Sequence, residues 1–273
     1  VDGARRARAE GREAGGAGVT ALLQVDALSK RFGGLQAVKD VSFKVEKGTV
    51  KALIGPNGAG KTTLFHLLSG VLAPDSGSVA FRGRPIHGLP AHRVAALGLS
   101  RTFQHIRLFA HMTALENVKV GCHVQSRAGF LAGMLHLPWT WREEREIAGR
   151  ARAELEFLGI AELADAEATS LSYGQQRSVE LARALAAGPE LLLLDEPAAG
   201  LNMRETVELA KLIGRIKARG VTVLIVEHDM GLVMNVSDEV AVLSYGEKIA
   251  DAEPRAVQRD PEVIRVYLGE DDA

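Results

Sequence analysis

Residues 21–32 read ALLQVDALSKRF and residues 37–48 read AVKDVSFKVEKG, each alternating apolar with polar positions. A period of two marks a half-buried strand, and Gly33-Gly34 between the runs supplies a turn. GTVKALIG (48–55) is a short β-rich run ending in a glycine loop, and KTTLFHLLSG (61–70) behind it reads as a helix closed by Gly70. GSVAFRG (77–83) is another short strand, and LGLSRTFQ (97–104) leads into a polar loop. A long helical pattern runs from about 113 to 165, interrupted near Gly121–Thr140. Beyond it ELLLLDEP (190–197) and VTVLIVEHD (221–229) are continuous apolar runs, as in strands buried on both faces. The amphipathic stretch VELAKLIGRIKARG (207–220) separates them, and EVAVLSYGEKIA (239–250) reads as an edge-like pair of short strands. Strands alternating with helices of this length predict an α/β fold with a largely parallel sheet, flanked by an antiparallel N-terminal flap. The chain contains no internal repeat.

Composition adds little to that picture and removes some alternatives. The 273 residues are 47% hydrophobic and 25% charged, ordinary for a globular chain with a real core. A net charge of −1 argues against a nucleic-acid binder living on a basic surface. One cysteine, Cys122, permits no intrachain disulfide. No stretch reaches the ~18–20 apolar residues that span a bilayer, and FLAGMLHLPWTW (130–141) carries His136 and Pro138. Residues 1–20 are rich in Arg, Ala, Gly and Glu, and read as a disordered extension.

GPNGAGKT (55–62) fits the phosphate-loop pattern G-x-x-x-x-G-K-[ST] between a strand and a helix. Gly55, Pro56, Asn57, Gly58, Ala59 and Gly60 would wrap a phosphate with backbone N–H groups. Lys61 would reach the β- and γ-phosphates, and Thr62, followed by Thr63, would offer a hydroxyl to Mg²⁺. Asp195 ends one apolar strand and is placed to hold Mg²⁺ through water. Glu196 is then a candidate general base, unless it merely faces solvent. His228 follows the next apolar strand. The carboxyl ends of parallel strands share one edge, so the three sets of residues meet there. Gln104 could reach metal or attacking water through its amide.

LSYGQQR (171–177) begins an Ala- and Leu-rich helix. Ser172 and Gln175 have capping-box spacing. Gly174 inside that first turn costs roughly 1 kcal/mol relative to alanine, yet it allows close approach of an anion.

Together and in this order, these motifs resemble the ATP-binding cassette of ABC transporters over about residues 22–268. The match includes the Walker A loop GPNGAGKTT, the Q-loop Gln104, the signature LSYGQQR, the Walker B run LLLLDEP, the D-loop-like AAGLN (198–202) and the H-loop His228. The resemblance implies a P-loop ATPase domain over 21–270, with a helical subdomain at about 105–182 and a tail at 271–273. It implies ATP and Mg²⁺ as cofactors, and a second cassette, identical or paralogous, whose nucleotide is covered by Ser172 and Gly174. It also implies that Phe32 stacks on adenine with Val38 beside it, although an aromatic there could equally be core. Tyr173 departs from the common second glycine of the signature, and Asn202 from the usual D-loop aspartate.

SRTFQHIRLFAHMTALENV, the insert at 121–150, PAAGLN and DPEVIRVYLGE look like the ATP-binding subunits of branched-chain amino-acid importers. That group implies two integral membrane permease subunits, a periplasmic binding protein, and a peripheral location on the cytoplasmic face of the inner membrane. Urea and amide importers and lipopolysaccharide exporters have similar cassettes. The different-class alternative is a soluble ABC-type ATPase acting on nucleic acid or ribosomes. A single cassette without sustained heptads argues against it.

Overall fold

A computed structural model describes residues 21–102, 106–123 and 138–268. Two sheets organise it. Strands β1 (Ala21–Phe32), β2 (Leu35–Glu46), β4 (Ser76–Phe81) and β5 (Arg84–Pro85) form an antiparallel sheet in the order β2-β1-β4-β5. The larger sheet has the order β10-β9-β3-β8-β7-β6. It is built from β3 (Val50–Ile54), β6 (Leu99–Arg101), β7 (Leu191–Asp195), β8 (Thr222–Val226), β9 (Glu239–Ser244) and β10 (Glu247–Ala252). Its neighbours pair in parallel, except for antiparallel β10 at the edge. Strand β9 is therefore internal rather than edge-like, and its VAVLS run is buried on both sides.

The apolar runs serve two faces because side chains alternate across a strand. Leu191, Leu193, Leu224, Val226, Ala241 and Leu243 pack with the antiparallel sheet and helix α1 (Lys61–Leu68). Leu192, Leu194, Val223, Ile225, Val240 and Val242 face the opposite layer. That layer holds α6 (Met203–Ala218), α7 (Met230–Val236), α8 (Pro254–Val257) and α9 (Pro261–Leu268).

Helices α3 (Ala114–Cys122), α4 (Pro138–Phe157) and α5 (Tyr173–Ala186) share a third cluster that includes Val118, Ile147, Ala151, Leu155, Val179 and Ala182. On α5, Leu181 and Leu185 face the main sheet. This helix thus joins the helical subdomain to the core. The helical pattern read through residue 165 stops at Phe157. Gly159 adopts φ +73°, and the Gly159 and Ile160 N–H groups donate to the Glu156 and Leu155 carbonyls at 2.9 and 2.9 Å. That double bond is a Schellman stop. A short helix, α2 (Ala91–Ala96), which the hydrophobic pattern does not announce, precedes β6.

Candidate active site

The phosphate loop leaves β3 between two neighbours. A Cβ at Gly55 would lie 2.1 Å from the Leu243 carbonyl oxygen, and one at Gly60 2.2 Å from that of Ala37. Only glycine fits at either position. Helix α1 then starts without a side-chain cap or an acidic residue in its first turn. Its first N–H groups and the positive end of its dipole thus favour an anion. Lys61 is buried, and its ammonium donates to the carbonyls of Gly55 at 2.6 Å and Pro56 at 2.9 Å. Burial lowers its pKa, while the nearby carboxylates of Glu196 and Asp195 act to raise it. Those opposing influences mean that lysine and acids share one locale. Thr62 is exposed and Thr63 half-buried.

Parallel register explains the convergence. Leu53 on β3 and Asp195 on β7 both lie opposite Val226 of β8, the strand between them. Asp195 is buried, and its Oδ2 accepts a 2.7 Å hydrogen bond from Arg101 at the end of β6. Arg101 also donates to the Ser69 hydroxyl at 3.1 Å. Glu196 follows at φ +47°, in the left-handed region, with its N–H donating to the Val226 carbonyl at 2.9 Å. A non-glycine residue in this conformation is strained, and such strain concentrates at functional sites. His228 comes two residues after the last residue of β8, with its side chain 66% exposed.

At the signature, the Ser172 N–H donates to Gln175 Oε1 at 2.9 Å, and the Gln175 N–H to Ser172 Oγ at 3.4 Å. The expected capping box is present. Gly174 is different: a Cβ there would meet only Glu205 Oε1, at 3.9 Å. No packing among the described residues requires a glycine at that position. Tyr173 is half exposed, and its hydroxyl accepts from Arg177 at 3.0 Å.

Phe32 stands 46% exposed at the end of β1. Val38 is fully buried in the cluster beneath the antiparallel sheet. The pattern of β2 explains this, since Val38, Val41, Phe43 and Val45 all point inward. Gln104 lies outside the described residues, as do residues 1–20, residues 124–137 of the insert and the tail at 271–273.

The sequence reading passed over two residues. Arg101 holds Asp195 across 94 positions of chain, and no local pattern shows such a pair. Glu227 had a signal, a carboxylate ending an otherwise apolar strand, but its partners sit on other loops. Asn202, read only as a missing aspartate, caps α6: its Oδ1 accepts from the Glu205 N–H at 3.1 Å.

Residues 38–199 match the family described as ABC transporter. This chain is an ABC transporter ATP-binding cassette. Residues 247–273 of the cassette match a second family, described as branched-chain amino acid ATP-binding cassette transporter. The cassette is 46% identical over 250 residues to the high-affinity branched-chain amino acid transport ATP-binding protein LivG of Salmonella typhimurium, covering 91% of this chain and 98% of that one. It is 47% identical, with the same coverage, to the corresponding protein BraF of Pseudomonas aeruginosa. Among solved structures, the ADP conformation of an ABC transporter cassette superposes with a TM-score of 0.80 at 35% identity, covering 92% of this chain and 99% of that one. The cassette binds ATP and hydrolyses it. No helix among the described residues is long and apolar enough to cross a membrane.

Proposed function

We propose that this cassette powers the import of branched-chain, or closely related hydrophobic, amino acids through separate membrane subunits. The relatives at 46% and 47% identity are named for high-affinity branched-chain amino acid transport. The C-terminal match over 247–273 favours this reading over the urea, amide and lipopolysaccharide alternatives. Two permease subunits, a periplasmic binding protein and a position on the cytoplasmic face of the inner membrane complete the proposal.

In this reading the glycine loop and Lys61 hold the phosphates, and Phe32 stacks on the base. Glu196 takes the proton of the attacking water. His228 and Lys61 face the charge that spreads over the transferring phosphoryl group, so catalysis is positioning and electrostatics. Gln104 carries the state of the site toward the membrane subunits. The described residues hold no group of three His, Cys, Asp or Glu able to bind a metal. The exposed Thr62 hydroxyl and the Asp195 carboxylate are oxygen donors, which suits Mg²⁺, a cation that completes its shell with phosphates and water. Bound there with ATP, Mg²⁺ would neutralise charge on the β- and γ-phosphate oxygens.

Gly174 is the observation that carries the pairing of two cassettes. It weakens the start of α5 by roughly 1 kcal/mol, and the described residues around it leave no internal reason for that cost. A phosphate of a partner's nucleotide, approaching the first turn beside Ser172, supplies one. The test is the mass of Glu196→Gln in solution, by light scattering with and without Mg²⁺ and ATP. Hydrolysis should fall by about two orders of magnitude, the scale of general-base loss, and ATP should convert monomer to dimer. Binding of ATP without dimerisation would show that the cassette does not pair with itself. Rapid turnover would remove Glu196 from its role.

A further inference from the structure

Glu227 is fully buried at the end of β8, whose preceding residues are all apolar or threonine. A carboxyl group in such a place is costly unless donors surround it. Three backbone N–H groups do so, and they come from two loops. Glu227 Oε1 accepts from Ala198 at 2.7 Å, in the loop behind Glu196. Glu227 Oε2 accepts from His228 at 3.1 Å and from Asp229 at 3.4 Å. The Val226 carbonyl meanwhile accepts the Glu196 N–H. The end of β8 therefore grips residues 196 and 198 on one side and residues 228 and 229 on the other. The nearest basic ring nitrogen is His228 Nδ1, 3.9 Å away. No lysine or arginine pairs with Glu227 among the described residues, so its bonding capacity goes to the two loops.

We propose that Glu227 is a positioning residue that sets Glu196 and His228 in one fixed relation, so that base and imidazole face the phosphoryl group as a unit. The inference rests on the roles given to Glu196 and His228 above. It goes beyond them by naming what holds the two together. An apolar residue would continue the strand equally well but would strand three N–H donors and release both loops. An error of about 1 Å in such an arrangement costs up to roughly 100-fold in rate.

The experiment compares Glu227→Gln and Glu227→Asp with the intact chain, measuring kcat, KM and ATP affinity, each also in the Glu196→Gln background. Glutamine keeps one accepting oxygen but turns its NH₂ donor against the N–H groups of one loop or the other. Aspartate keeps both oxygens but is one methylene short. Both variants should lose at least about tenfold in kcat, while KM and ATP affinity stay within about twofold, because the phosphate loop is anchored elsewhere. In the Glu196→Gln background the second change should lower the residual rate by less than about twofold, since the two residues act as a unit. Glu227→Asp supplies the same comparison if Glu227→Gln does not fold. Wild-type kcat in a folded variant, a change confined to KM, or a full additional loss in the Glu196→Gln background each overturns the inference. If Glu196→Gln itself hydrolyses ATP at the wild-type rate, the inference and the functional reading fall together.

Discussion

Glu227 leaves a trace in stability as well as in rate. Burial raises its pKa above the ordinary 4.5, and hydrogen bonds from Ala198, His228 and Asp229 oppose the rise. A raised folded-state pKa means that the native chain keeps a proton that the unfolded chain has already released. Stability from this group is therefore fully present below about pH 4.5 and is lost as the pH rises through the folded value. Glu227→Gln cannot ionise. The difference in unfolding free energy between wild type and variant should shift in favour of the variant as pH rises through that window. Denaturant unfolding at several pH values measures it, and a pH-independent difference would remove Glu227 as the titrating group.

At the scale of elements, helix starts carry much of the site. Helix α5 begins with the Ser172–Gln175 box and α6 with Asn202–Glu205. Asn202→Ala should cost about 1 kcal/mol, and Asn202→Ser should recover most of it, as read by chemical denaturation. The Ser172 box could be read directly, because its partners are three residues apart. Strands β3, β7 and β8 and the residues that follow them were equally plain, since continuous apolar runs can be buried only between two layers. The stop of α4 was missed because the hydrophobic pattern continues past Gly159 while the backbone does not. The burial of Val38 was not legible, because nearness in sequence to Phe32 says nothing about which face of β2 it occupies. Arg101 and Glu227 find their partners on other strands and loops, so only the assembled sheet reveals them.

At the scale of the whole molecule, the phosphate loop is where the two sheets meet. Gly60 packs against the Ala37 carbonyl of β2, the Gly246 N–H donates to the Ala59 carbonyl at 3.1 Å, and the Lys39 N–H donates to the Gly246 carbonyl at 2.8 Å. Gly60→Ala must displace a backbone carbonyl and hold alanine at φ +98°, a conformation that alone costs about 1–3 kcal/mol. Nucleotide titration should show at least about a tenfold loss of affinity, which is about 1.4 kcal/mol, and calorimetry a lower Tm. Gly58→Ala is the control: its φ is +79°, but nothing among the described residues lies within 4 Å of the added carbon. It should lose less on both measures, and equal losses would show that strain at φ, rather than the contact between sheets, is responsible.

The neighbours of β3 also set an order of events during synthesis. Its flanking strands are β8 (Thr222–Val226) and β9 (Glu239–Ser244), far downstream. A ribosome adding about 5–20 residues per second releases Val50–Ile54 on the order of ten seconds or more before either flank exists. Closing such long chain segments is also slow in itself. The glycine loop thus leaves the ribosome well before its walls, which come only with β8 and β9, and nucleotide capture becomes a sign that those distant strands have been made.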